Sequence, residues 1–191
     1  MTNNKELDDL STAIDKIELK LLDSHVHFLT GELNEENIKR AVQWIVYENL
    51  EKTKNKQLTL YINSPGGELY ESLALIDMMN KSEYNISTIG IGQIMSASFL
   101  IFASGSKGHR YIAQNTGIMC HQLSTGGDSS KYHDAKALMI ETELCNERMM
   151  KILRDTSGLD NRYIKTKLLG PSDTFFTADE LVVLGIADHI F

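Results

Sequence analysis

The sequence predicts an α/β fold built on a parallel sheet, and three neighbouring segments carry that prediction. Residues 58–63, LTLYIN, alternate apolar and polar side chains and stop at the turn Ser64-Pro65-Gly66-Gly67. Residues 70–80 then set Leu73, Ile76 and Met79 at helical spacing, and a β-branched run follows at 86–91. Strand, helix and strand of these lengths form a β-α-β unit, whose crossover is right-handed.

Composition agrees with one folded domain over 1–191. Of the 191 residues, 42% are hydrophobic, 24% are charged and only 2 are proline, which argues against long disordered tracts. A formal net charge of -7 argues against a nucleic-acid surface. Cys120 and Cys145 form no spacing motif for a metal or a disulfide framework, so a reducing compartment is expected. The start, MTNNKELDDL, lacks the apolar core of a secretory signal, and a cytoplasmic location is expected. The charge-free run 86–106 contains Gly, Gln and several Ser, and it reads as core rather than as a membrane span.

In order along the chain, Leu7, Leu10, Ile14, Ile17 and Leu21 share one helical face, suited to packing on this domain or on a neighbour. A short strand is expected at 26–29. Asn34, followed by Glu35 and Glu36, predicts an N-cap and an acidic first turn. The helix it starts has the apolar face Ile38, Ala41, Val42, Ile45 and Val46 and runs to about Leu50. After the β-α-β unit come a helix ending at Gly105 and short strands at 110–113 and 117–121. A long helix over 131–155 carries the narrow stripe Leu138, Thr142, Cys145, Met149 and Ile152, which predicts that it projects or pairs with one other helix. A short helix at 161–168, a capping box at Thr177 and Glu180, and a last strand at 186–190 complete the chain.

The chemically suggestive stretch is 89–110, IGIGQIMSASFLIFASGSKGHR. A strand meets Gly90 and Gly92, which read as a turn, and a buried helix begins near Met95, which puts Ser96 in the first helical turn beside unpaired N–H groups. Ser96 either caps that helix or stands ready to attack a carbonyl. Ser98 lies about 200° further round the helix and cannot face the same site. Cys120, next to His121 in a strand, points to the opposite face. His121 and Asp173 each also read as ordinary structural residues, the second as a turn aspartate before a strand.

The runs INSPGGELYESLALIDMM and GQIMSASFLIFASGSKGHRY, the pair His121-Gln122 and the tail SDTFFTADELVVLGIADHI together resemble ClpP, the peptidase subunit family of the Clp proteases, from about Lys16 onward. That resemblance implies a ClpP/crotonase-like spiral of β-β-α units with a protruding handle helix, at about 124–155 here. It implies catalytic Ser96, His121 and Asp173, an oxyanion hole from the N–H groups of Gly67 and Ala97, and peptide binding along Gln122, Leu123 and Gly126. It also implies a homo-oligomer of heptameric rings stacked as a tetradecamer, a peptide or unfolded-protein substrate, and an AAA+ unfoldase as a possible partner. No metal or cofactor and no nucleic-acid or membrane partner is expected, and an apolar side chain is expected beside the cleaved bond. Ser172, Gln114 and Thr59 depart from the family pattern, where arginine, proline and an aromatic are usual, and residues 1–15 diverge from its gating loop. Two rival readings stay open, a catalytically silent ring subunit that modulates a partner peptidase and an acyl-CoA enzyme of the crotonase type.

Overall fold

The structure, a computed structural model, describes residues 3–52, 55–124 and 131–191. Helix α1 (Asn3–Asp23) leads into β1 (Val26–Thr30), α2 (Glu35–Leu50), β2 (Leu58–Ser64), α3 (Leu69–Lys81), β3 (Ile86–Met95), α4 (Ala97–Ala103), β4 (Arg110–Ile112) and β5 (Gly117–Cys120). Next come α5 (Tyr132–Ser157), α6 (Asn161–Tyr163) with a π-helical turn at Ile164–Leu168, β6 (Thr174–Phe176), α7 (Ala178–Val183) and β7 (His189–Ile190). This is a mixed α/β fold. Its main path, β1-β2-β3-β4-β7, is parallel throughout, and β6 is its antiparallel member, paired with β5.

The expected strand at 86–91 is longer than predicted, because Gly90 and Gly92 lie inside it rather than in a turn. The early part of β3 pairs with β4, Gly90 opposite Ile112, while its last three residues pair with β5, from Gln93↔Gly117 to Met95↔Met119. Between the two partners sits Gly92 at φ +61, where any Cβ would stand 2.5 Å from Asn63 Oδ1. That same oxygen accepts the Gln93 N–H at 3.2 Å, and the β2–β3 register shifts at this point. A left-handed residue at a bulge lets one strand serve two neighbours in turn.

Three expected faces shift once packing is visible. In α2 the buried set is Ile38, Ala41, Trp44, Ile45 and Glu48, while Val46 is exposed. Glu48 turns inward because Lys56 Nζ donates to its Oε2 at 3.0 Å and His25 Nδ1 lies 2.9 Å from the same oxygen. In α1 the helix forms as expected, yet Ile14 and Ile17 stay exposed, and among its described side chains burial begins at Leu21 and Leu22, which are partly covered. The α5 stripe does not remain a free seam: Cys145, Met149 and Leu153 are buried in this chain, the last two within its core. The exposed large hydrophobic residues of α5 are instead Tyr132, Met139, Ile140 and Leu144. The N-cap at Asn34 and the capping box of Thr177 and Glu180 form as the sequence predicts. Among the described residues no helix is long and apolar enough to cross a membrane.

A buried ion pair closes the far edge of the sheet. Arg110, 1% exposed, donates from Nε and Nη2 to the two carboxylate oxygens of Asp188 at 2.9 and 2.7 Å, and from Nη1 to the Thr156 carbonyl. Asp188 also accepts the N–H groups of Gly108 and Arg110. Burial alone would raise the Asp188 pKa, but the Arg110 fork and these N–H donors outweigh it and hold the carboxyl below its ordinary 3.8. Asp188→Asn is therefore expected to cost roughly 3 kcal/mol at neutral pH, because it unpairs a buried guanidinium. A depressed carboxyl stabilises fully above its unfolded pKa and loses that contribution as pH falls through the folded value. Thermal denaturation should show the wild type losing this increment below about pH 4, and the variant showing a shallower acid loss.

Candidate active site

The β3 fork brings together residues that are 25 apart in sequence. Pairing of Met95 with Met119 sets Ser96, one residue on, beside the end of β5, and the Ser96 N–H donates to the Met119 carbonyl at 3.0 Å. Across this junction the Ser96 hydroxyl and His121 Nε2 lie 2.7 Å apart, a serine–imidazole hydrogen bond. Ser96 is not in the first helical turn, as expected, but is the N-cap of α4 at φ 56 and ψ -126. A non-glycine residue there is strained, by about 1–3 kcal/mol. Ser98 turns away as predicted: its hydroxyl is buried among Ser64 O, Met95 O and Met95 N. Burial pushes the Cys120 thiol up to about 12, so it stays protonated.

The Ser64-Pro65-Gly66-Gly67 turn presses against the serine. A Cβ on Gly66 would stand 2.7 Å from Ser96 Cβ and 3.1 Å from Ala97 N. Gly67, at φ +151, could carry no side chain without overlapping the Leu33 backbone. The N–H groups of Gly67 and Ala97 donate to nothing among the described residues. Two unspent donors near a serine hydroxyl can receive the oxygen of an acyl group under attack. Gly67, Ser96, Ala97, His121 and Leu123 line a cleft of about 510 Å³ whose opposite wall is α5.

Gln122 and Leu123 continue past the last β5 pair with no backbone partner among the described residues, an open edge for an added strand. Gly126, the third expected peptide-binding residue, lies outside the described residues. Asp173 behaves differently from Ser96 and His121. It is exposed and makes no hydrogen bond to His121, although the β5–β6 register, carried one step past its last pair, Cys120↔Thr174, sets Asp173 opposite His121. Tyr70 and Glu141 are among the residues that line the cleft without having been singled out by sequence. Their only signal is helical phase, with Glu141 beside Thr142 on α5 and Tyr70 at the start of α3. No group of three or more His, Cys, Asp or Glu side chains stands ready for a metal among the described residues.

The strained serine makes a stability prediction. Ser96→Gly should be more stable than Ser96→Ala by roughly 1 kcal/mol, because glycine relieves the positive φ that alanine retains. Urea denaturation of the two variants side by side checks this, and equal midpoints would mean that the backbone at 96 is unstrained.

The family model described as Clp protease matches residues 10–191 of this chain.

Proposed function

The chain belongs to the Clp protease family, and we propose that it is a serine endopeptidase acting through Ser96, His121 and Asp173. The observation that carries this reading is the 2.7 Å contact between His121 Nε2 and the Ser96 hydroxyl, with the N–H groups of Gly67 and Ala97, unpaired among the described residues, in the same cleft. Serine is a poor nucleophile at neutral pH until a base takes its proton. In the proposed mechanism Ser96 Oγ attacks the peptide carbonyl carbon as His121 Nε2 accepts the hydroxyl proton. The carbonyl oxygen becomes an oxyanion held by the N–H groups of Gly67 and Ala97. Collapse breaks the C–N bond, His121 returns the proton to the departing amine, and an acyl-Ser96 ester remains. Water, deprotonated by the same histidine, hydrolyses that ester and restores the serine.

Main-chain pairing along Gln122 and Leu123 would hold the peptide with little regard to sequence. Asp173 is the proposed orienting partner of His121. Its place opposite His121, one step past the last β5–β6 pair, supports that role, and a rearrangement of the turn before β6 would bring its carboxylate to Nδ1. Family membership supports assembly into rings, here proposed as heptamers stacked into a tetradecamer, with an AAA+ unfoldase as supplier of unfolded chains.

The competing reading, a catalytically silent subunit that modulates a partner peptidase, draws on one observation, the open His121–Asp173 contact. Hydrolysis of short fluorogenic peptides by the purified protein separates the two. The peptidase reading expects turnover that falls about 1,000-fold or more in Ser96→Ala. Absence of turnover in an assembled wild-type protein would favour the silent subunit. For Asp173→Asn a fall in kcat of about 100-fold is expected, since an amide can select the wrong histidine tautomer. An unchanged kcat would leave Ser96 and His121 working as a pair.

A further inference from the structure

The wall of the cleft facing Ser96 is chemically uneven. Leu138, Cys145 and Met149 of α5, together with Leu123, give the cleft an apolar lining. Two carboxylates, Glu68 and Glu141, also line the cleft, and among the described residues no lysine or arginine does. Glu141 is held on that wall by its neighbours. The Cys145 thiol donates to Glu141 Oε1 at 3.5 Å, and the Tyr70 hydroxyl lies 3.3 Å from the same sulfur. Burial, and then the Glu141 carboxylate, raise the Cys145 pKa, so the thiol remains a neutral donor and adds no further negative charge.

The nearest cation, Arg148, satisfies Glu141 only in part. Its Nη1 stands 3.9 Å from Glu141 Oε1, beyond hydrogen-bond reach, and the two side chains are 47% and 46% exposed. A pair so long and so wet is worth little, and the carboxylate keeps most of its capacity for another cation. An acidic side chain entering the cleft would meet two like charges, and an aliphatic one would leave Glu141 with nothing gained. A lysine or arginine can lay its stem along the apolar lining and bring its charge to the carboxylate.

We propose that Glu141 is the charge-selecting residue of this cleft, so that the chain takes a cationic side chain, lysine or arginine, on the acyl side of the bond it cleaves. It differs from the apolar preference expected from the sequence, and it rests on the peptidase reading of the same site.

The test has two arms. In the first, kcat/KM is measured for fluorogenic peptides differing only at the residue before the cleaved bond, Lys, Leu or Glu, with wild type, Glu141→Gln and Glu141→Lys. Lys should exceed Glu by about tenfold in the wild type, the Lys-to-Leu ratio should fall about fivefold in Glu141→Gln, and Glu141→Lys should favour the Glu peptide. In the second arm, binding of the same three peptides, dye-labelled, to the Ser96→Ala protein is followed by fluorescence anisotropy, which needs no chemistry. Lys-selective binding that Glu141→Gln abolishes, with no turnover in the first arm, would sink the peptidase reading and support charge selection. Equal binding of the three peptides, or a ratio that Glu141→Gln leaves unmoved, would overturn the proposal whether or not the protein hydrolyses them.

Discussion

The meeting of Ser96 and His121 depends on β3 changing partners half-way along its length. A strand in a parallel sheet ordinarily keeps one neighbour on each edge, because its slanted ladder repeats evenly. Here the ladder with β4 ends at Gly90↔Ile112 and a second ladder, with β5, starts at Gln93↔Gly117. Only a residue that accepts φ +61 without a Cβ fits at the junction, beside the Asn63 side chain that accepts the Gln93 N–H. The consequence is geometric. Without the second ladder, the end of β5 would not lie beside the end of β3, and His121 would not reach Ser96.

Beyond the fork the chain is stiff. Ser96 sits at positive φ, fixed by the bonds and packing on either side of it. Its N–H is tied to Met119, the Ser98 hydroxyl ties the chain to Ser64, and Phe99, Leu100 and Phe102 of α4 are fully buried. Strain at one residue persists when its surroundings overdetermine it, and a strained nucleophile is a feature that active sites repeatedly share. On the open side, by contrast, the site is loosely bounded. Asp173 is exposed in the turn before β6, and the first turns of α5 project into solvent. The rigid half holds the proposed nucleophile, base and oxyanion donors, while the loose half carries the residue proposed to orient the base.

Much of the fold and of the site is legible in the sequence where the signals are local. The caps at Asn34 and Thr177 form because short polar side chains satisfy nearby N–H groups whatever else the chain does. The β-α-β unit follows from periodicity alone, and Ser96 and His121 stand out by motif. Where expectation and structure part, a distant partner decided the matter. Gly90 and Gly92 resemble a turn, yet Gly90 is buried against Phe102 and Ile112 and Gly92 makes a bulge against Asn63. Glu48 reads as a solvent-facing acid of α2 until Lys56 and His25 close over it. Arg110 and Asp188, 78 residues apart, carry no local mark of their pairing. The α5 stripe is visible in the sequence, but its surroundings, the cleft wall and the core, are not.

If the bulge at Gly92 sets Ser96 against its base, the reactivity of Ser96 in Gly92→Ala tests that dependence most directly. The measurement is the rate at which a fluorophosphonate adds to the protein, read as intact mass, with circular dichroism used to confine the comparison to folded material. A Cβ at residue 92 must displace the Asn63 side chain and adopt an unfavourable φ, so β3 should lose its register with β5. Labelling at least about tenfold slower than in the wild type is expected, since serine without its base is a weak nucleophile. Labelling of folded Gly92→Ala at the wild-type rate would contradict it.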